Sequence, residues 1–311
     1  MRTLICGSLA FDTIMVFPDH FGRHILPDKT HMLSVSFTVG DMRREWGGCA
    51  GNIAYNLQAL GGEPVVMATI GDDGGPYQER LESLGVSTAG MRTLEGTYTA
   101  QAFIITDLDD NQITAFHPGA MVRSHELHVA DVGDIGLGIV APDGRDGMRQ
   151  HAREFRAAGI PYVFDPGQGM PLFSGDELME MIEGASVVTV NDYEVQMLCE
   201  RTRLTEEALA ARVEALVVTL GSEGSRIHAG RATIHVPAVP PSALVDPTGC
   251  GDAYRAGLLY GMARRWDWEK TGRLASLLGS MKIASRGGQN HAVDRDGVAA
   301  LYAKHFDATL W

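Results

Sequence analysis

The segment Asp246-Pro247-Thr248-Gly249-Cys250-Gly251-Asp252 runs directly into Ala253-Tyr254-Arg255-Ala256-Gly257, which has helical spacing. Gly249, Cys250 and Gly251 carry little or no side-chain bulk, so successive backbone N–H groups can converge on an anion. The helix N-terminus that follows adds roughly half a positive charge. Asp252 then stands where a carboxylate can take a proton from a hydroxyl attacking a phosphate. The same residues also read as a glycine turn with Asp252 as an ordinary N-cap. A second glycine-rich segment, Gly47-Gly48-Cys49-Ala50-Gly51-Asn52, opens another helical stretch. Its paired glycines allow a ligand close to the backbone, and Asn52 offers donor and acceptor to hydroxyl groups; the alternative is an N-capping Asn after a loop.

Outward from these two segments the chain alternates. Thr3 to Cys6, Pro64 to Ile70, Pro161 to Phe164, Ala185 to Val190 and Ala215 to Thr219 are short, apolar and β-branched, as strands buried on both faces should be. Between them lie helix-length stretches, Asn52 to Leu60, Tyr77 to Leu84, Met148 to Ala158, Glu194 to Glu200 and Glu206 to Arg212. This alternation predicts an α/β fold with a mostly parallel sheet and crossover helices. Met32 to Met42 and Thr97 to Phe116 instead alternate with period two, the latter around a turn-like Asp107-Leu108-Asp109-Asp110-Asn111, and predict a small separate antiparallel sheet. Approximate boundaries follow: a core of 1–12, 47–95 and 121–311, with the small sheet in 13–46 and 96–120. After Asp252 the pattern is helical, Ala253 to Trp266 and Thr271 to Ser285.

The 311 residues include 26 Lys plus Arg against 39 Asp plus Glu, a formal net charge of −13. That excess argues against a nucleic-acid or anionic-membrane surface, so any phosphate must be held by something other than bulk positive charge. None of the lysines, Lys29, Lys270, Lys282 and Lys304, follows a glycine-rich loop, so the GxxxxGK[ST] phosphate loop is absent, as is a strict GxGxxG fingerprint. Cys6, Cys49, Cys199 and Cys250 form no CxxC pair, the histidines show no metal spacing, and no apolar run approaches the ~18 residues of a membrane span. A cytoplasmic setting is expected.

Taken together, the GGxxxN and D-x-T-G-x-G-D segments resemble, in order, separation and flanking helices, the two signatures of the PfkB (ribokinase-like) family of carbohydrate and nucleoside kinases, over essentially the whole chain. The resemblance implies a three-layer α/β/α fold in which the small β-sheet acts as a lid. It makes Asp252 the base that deprotonates the acceptor hydroxyl for attack on the γ-phosphate of ATP, and Gly249, Cys250 and Gly251 the anion hole. Asp12 matches the carboxylate that grips sugar hydroxyls, although alone it reads as a turn residue, and Gly48 and Asn52 match further hydroxyl contacts.

Asn191-Asp192-Tyr193-Glu194 resembles the family's NxxE motif, in which the Glu194 position helps organise Mg2+ through water and Asn191 serves the nucleotide phosphates; its spacing is also that of a capping box. Thr219-Leu220-Gly221-Ser222-Glu223-Gly224 resembles a nucleotide loop, giving Thr219, Gly221 and Gly224 as ATP contacts, with Ser276 and Gly288 on the adenine side. The family sometimes uses a monovalent cation such as K+ near the anion hole, and carbonyls around Asp246 and Thr248 are where one would bind. Two positions depart from the pattern. Cys250 stands where Ala is frequent, giving either a small buried residue or a thiol activated by the helix N-terminus. Met121 replaces the Asn that usually follows Gly-Ala in the lid region.

The lid stretches are poor in cations, which disfavours a phosphorylated acceptor, and they supply Phe37, Gln101, Phe103 and Phe116, flat surfaces and an amide suited to a base. Gly47 to Asn56 and Gly287-Gly288-Gln289-Asn290-His291 look similar to prokaryotic adenosine and nucleoside kinases. The expected activity is therefore 5′-phosphorylation of a nucleoside, adenosine first. A ribokinase- or fructokinase-like sugar kinase and a non-catalytic nucleoside-binding regulator are the alternatives, and a homodimer through the lid is the expected assembly.

Overall fold

The computed structural model describes residues 1–25, 34–109 and 111–311. Its strands are β1 (Arg2–Cys6), β2 (Ala10–Val16), β3 (Asp41–Gly47), β4 (Glu63–Ile70), β5 (Ser87–Thr93), β6 (Ala100–Thr106), β7 (Gln112–His117), β8 (Leu137–Val140), β9 (Tyr162–Phe164), β10 (Val187–Asn191), β11 (Ala215–Thr219), β12 (Ser225–Ala229) and β13 (Ala232–Val236). The helices are α1 (Cys49–Ala59), α2 (Gly75–Ser83), α3 (Arg145–Ala158), α4 (Gly175–Gly184), α5 (Asp192–Thr202), α6 (Glu206–Ala210), α7 (Cys250–Ala263), α8 (Trp268–Ile283) and α9 (Arg295–Phe306).

Nine strands form the central sheet in the order β13-β12-β11-β10-β9-β8-β1-β4-β5, parallel from β11 to β5 and antiparallel only at the β12–β13 edge. Successive residues of its strands go to opposite layers, as period-two geometry requires. Ile5, Val66, Val187 and Val217 pack with α1, α2, α7, α8 and α9, whereas Leu4, Cys6, Val65, Val188 and Val218 pack with α3, α4, α5 and α6. This is a three-layer α/β/α sandwich, as expected.

From β1 the chain builds outward through β4 and β5, then returns to add β8 on the other side of β1. Strand order therefore reverses between β1 and β8, and a crevice opens beyond their carboxyl ends, where open α/β sheets place ligands. The Ser8 N–H donates to the Pro142 carbonyl across this point, at 3.0 Å.

The second sheet has the order β3-β2-β6-β7 and is mixed rather than wholly antiparallel, because β2 pairs parallel with β6. The reason lies in the main sheet: β2 follows β1 and β6 follows β5, and parallel parents release both chains at the same edge. The strand expected over Met32 to Met42 is also displaced. Its first two residues lie outside the described residues, 34–40 form no strand, and the ladder begins at Asp41. Phe37 instead packs on Phe17 and Phe21, ring centroids 4.8 and 5.1 Å away. The β6–β7 turn is organised by Asp107, whose Oδ1 accepts the N–H groups of Asp109 and Asn111, each at 2.9 Å; Asp110 lies outside the described residues. Among the described residues no helix is long and apolar enough to cross a membrane.

Candidate active site

The two glycine-rich segments, some two hundred residues apart in sequence, become the N-termini of neighbouring helices. Helix α1 begins at Cys49 behind Gly48, which has φ +86°; a Cβ there would meet the Ser8 carbonyl oxygen at 2.5 Å. Helix α7 begins at Cys250 behind Gly249, whose φ of +79° likewise favours glycine. Asp246 shapes this second loop by accepting the N–H of Thr248 (2.9 Å) and of Gly287 (2.8 Å) on its two carboxylate oxygens. Burial acts against its charge, but those N–H groups hold the carboxyl below its ordinary range. The Asp246 carbonyl, expected to serve a free monovalent cation, accepts instead from Lys282 Nζ at 2.8 Å.

Asp252, half-buried in the first turn of α7, accepts a 2.8 Å hydrogen bond on Oδ2 from Asn52 Nδ2. Asn52 is oriented in turn by Gln289, whose Nε2 donates to Asn52 Oδ1 (3.2 Å) and to the Tyr77 hydroxyl (2.6 Å), and Tyr77 donates to the Gly47 carbonyl. Both glycine segments are thus joined through one buried polar chain. Loss of solvation pushes the Asp252 carboxyl up to about 6, with Asn52 and Arg255 partly opposing the shift. Asp12 is also raised to about 6, by burial and then by the charges of Glu45, Asp246 and Asp252.

Two cavities meet at the α7 N-terminus. One, of about 800 Å³, is lined by Asp12, Gly48, Asn52, Phe116, Thr248, Gly249 and Asp252. The other, of about 500 Å³, is lined by Thr219, Gly221, Gly224, Cys250, Gly251 and Ser276. The D-P-T-G-C-G-D segment is therefore the wall between them.

Other proposed contacts lie elsewhere. In β6, Ala102 lines the larger cavity opposite Asp12 in register, which turns Gln101 and Phe103 to the other face. There Gln101 Nε2 donates to Asp73 Oδ2 at 2.8 Å, and Phe103 is 41% exposed. Gly288 packs against the Asn52 side chain rather than lining the smaller cavity. Ser276 lines that cavity, but its Oγ donates to the Pro237 carbonyl at 2.9 Å. Met121 lines the larger cavity.

Asn191 and Glu194 form a complete capping box at α5: Asn191 Oδ1 accepts the Glu194 N–H (2.7 Å), and Glu194 Oε2 accepts the Asn191 N–H (2.8 Å). They line neither cavity. Glu194 Oε1 lies outside the box, a hard oxygen donor of the kind Mg2+ accepts through water. The carboxyl is raised by burial and by the neighbouring Asp165.

Sequence reading missed a buried ion pair beneath the loop. Arg255, one turn past Asp252, binds Asp165 with both ends of its fork, Nε to Oδ2 at 2.6 Å and NH2 to Oδ1 at 2.9 Å, and its NH1 reaches the Gly251 carbonyl at 3.3 Å. Arg255 is visible in sequence only as one more residue of the helix, because its partner comes from the end of β9.

Cys250 resolves toward the unreactive reading. Burial pushes its thiol up to about 11, despite the pull of Lys282, and the thiol faces the Asp246 carbonyl at 4.0 Å. At pH 8 roughly a thousandth of such a thiol is ionised, so iodoacetamide should label Cys250 far more slowly than a free cysteine, as followed by mass spectrometry. Rapid labelling of Cys250 would contradict this.

A fold and loop of this kind define a class. Residues 16–295 match the model of the pfkB family carbohydrate kinases, and the chain belongs to that family. It is similar to the nucleoside kinase of Burkholderia thailandensis, whose structure in complex with inosine is 49% identical over 99% of both chains with a TM-score of 0.90. It is also similar to the nucleoside kinases of Methanothermobacter thermautotrophicus, at 31% identity covering 94% of this chain and 92% of the relative, and of Methanocaldococcus jannaschii, at 29% identity covering 88% and 90%.

Proposed function

We propose that this protein is an ATP-dependent nucleoside kinase that transfers the γ-phosphate of ATP to a nucleoside 5′-hydroxyl, adenosine being the first candidate acceptor. The observation that carries the reading is the shared wall: Asp252 and Gly249 face the larger cavity while Cys250 and Gly251 face the smaller. An acceptor in one and a nucleotide in the other would meet at the anion loop. The relative from Burkholderia thailandensis, crystallised with inosine and with ADP-inosine, supports a purine nucleoside and makes inosine the second acceptor to test.

In the proposed reaction Asp252 accepts the 5′-hydroxyl proton as the oxygen attacks the γ-phosphorus, the bond to the β-phosphate oxygen breaks, and ADP leaves. The N–H groups of Gly249 and Gly251 receive the charge on the transferred phosphoryl group, while the Cys250 N–H holds the loop by donating to the Pro247 carbonyl at 3.1 Å. Asp12 and Asn52 orient the ribose hydroxyls, and closure of the small sheet excludes water. Glu194 is the carboxylate that would hold, through water, a magnesium ion arriving with ATP, and such an ion would neutralise part of the phosphate charge.

Incubation with Mg-ATP and separate adenosine, inosine, ribose and fructose, with ADP as readout, tests the reading. Turnover confined to free sugars favours a sugar kinase, and none with any acceptor favours a binding protein. The base must be ionised to work, and its pKa is raised to about 6. Activity should therefore fall as pH drops through about 6, whereas an ordinary aspartate would sustain it about two units lower. A kcat/KM profile flat down to pH 5 contradicts Asp252 as the base.

A further inference from the structure

Lys282 stands in the last turn of α8, and its side chain is wholly buried. Such burial removes an ammonium from water and is tolerated only when hydrogen-bonding partners replace the solvent. Here Nζ donates to the Asp246 carbonyl at 2.8 Å and to the Ser285 carbonyl at 2.9 Å. The partial negative charge of the α8 C-terminus adds to the support. The group therefore clamps two backbone segments: the start of the anion loop and the turn after α8. Asp246 completes the clamp from its other end, its carboxylate holding the N–H groups of Thr248 and Gly287.

The positive charge is felt across the loop. It pulls down the Cys250 thiol, against the larger effect of burial, and it adds to burial in lowering the buried His291 to about 4. Cys250 and Gly251 line the smaller cavity, and the Cys250 N–H is held within the loop by the Pro247 carbonyl at 3.1 Å, so the same charge lies behind the place proposed for the transferred phosphoryl group. A free monovalent cation at the Asp246 carbonyl would stand against a like charge, because the Lys282 ammonium already lies 2.8 Å from that oxygen.

We propose that Lys282 is the protein's own monovalent cation: its tethered ammonium stands at the Asp246 carbonyl in place of a K+ ion, holds the Asp246–Gly251 loop in its anion-receiving shape and supplies fixed positive charge behind it. An ammonium and K+ share charge, similar size and a preference for carbonyl oxygens. A tethered group is present at every salt concentration and loses little freedom on binding, so the loop is organised before the nucleotide arrives. Lys282 acts through the loop and is a positioning residue. The proposal rests on reading that loop as the phosphoryl site, but its structural half can be tested without turnover.

The experiment compares the wild type and Lys282→Ala at matched ionic strength in choline, sodium and potassium chloride, reading ADP formation and the thermal midpoint. The wild type is expected to show the same rate and midpoint in all three salts. Lys282→Ala, with the ammonium and its stem removed, is expected to lose roughly tenfold or more in kcat in choline chloride, as when a preorganised electrostatic group is deleted, and to regain much of it in KCl or NH4Cl. Its midpoint should rise in KCl but not in choline chloride. Strong K+ activation of the wild type overturns the proposal, as does a Lys282→Ala protein that is fully active without K+ or that folds and is rescued by no cation. If Lys282→Ala does not fold in choline chloride, recovery of folded protein on expression and purification in KCl supports the proposal and failure in both salts overturns it. A wild type inactive on every acceptor refutes the kinase reading alone, since the midpoints still report whether K+ enters the vacated place.

Discussion

Asp252→Asn is expected to lower kcat by about 10²- to 10⁴-fold, the usual contribution of a positioned general base, while the nucleoside still binds. The substitution keeps the shape of the side chain, and an amide oxygen can still accept from Asn52 Nδ2, which sits 2.8 Å from Oδ2 in the native protein. What disappears is the capacity to take a proton. Asp252 also stands among like charges, since it raises Asp12 and is itself raised by Asp165. Burial is the largest influence on the Asp252 charge and outweighs the pull of Asn52 and Arg255, so the uncharged variant should melt no lower than the wild type, and Asp12 should titrate closer to its ordinary range. Single-turnover kinetics, a nucleoside binding isotherm and a thermal melt together separate loss of chemistry from loss of fold. An Asp252→Asn protein with wild-type turnover would remove Asp252 from the mechanism.

Arg255→Met should have the largest effect on stability. Asp165 is 2% exposed and takes both of its charged hydrogen bonds from Arg255, so the substitution strands a carboxylate in the interior. Breaking one side of such a pair costs about 3–5 kcal/mol, whereas replacing both partners by apolar groups of similar volume is often close to neutral. Arg255→Met combined with Asp165→Leu should therefore recover much of the stability that Arg255→Met alone loses, as read by urea unfolding. The double variant should nevertheless bind nucleotide more weakly than the wild type, because it lacks the guanidinium that reaches the Gly251 carbonyl. A loss below about 1 kcal/mol for Arg255→Met alone would mean that the pair is not the buried bridge its geometry describes.

Several features were missed although the chain carries local signals for them. Helix α4 has Leu178, Met181 and Ile182 on one face and a Ser174–Glu177 capping box, both readable in sequence. The β12–β13 hairpin turns on Gly230, with φ +61°, between two short runs of mixed polarity whose period is weak. Phe103 and Gln101 have the chemistry of base contacts, but period two allows a strand only one face toward a cavity, and the face is set by Asp12 through its pairing with Ala102.

The α/β class, both glycine-rich helix starts and Asp252 at the head of α7 were legible along the chain, because these depend on neighbours within a few residues: φ > 0 at glycine, strand length and helix capping. The remaining contacts come from packing between distant segments. Asn52 bonds to Asp252 across two hundred positions, Arg255 finds Asp165 at the end of another strand, and Lys282 reaches the carbonyl of Asp246. Each is a long side chain or an amide whose partner is chosen by packing between layers, and hydrogen bonds that short and directional have no signature in local composition. An acidic chain with no lysine in a glycine loop still places one lysine behind that loop, brought there by α8.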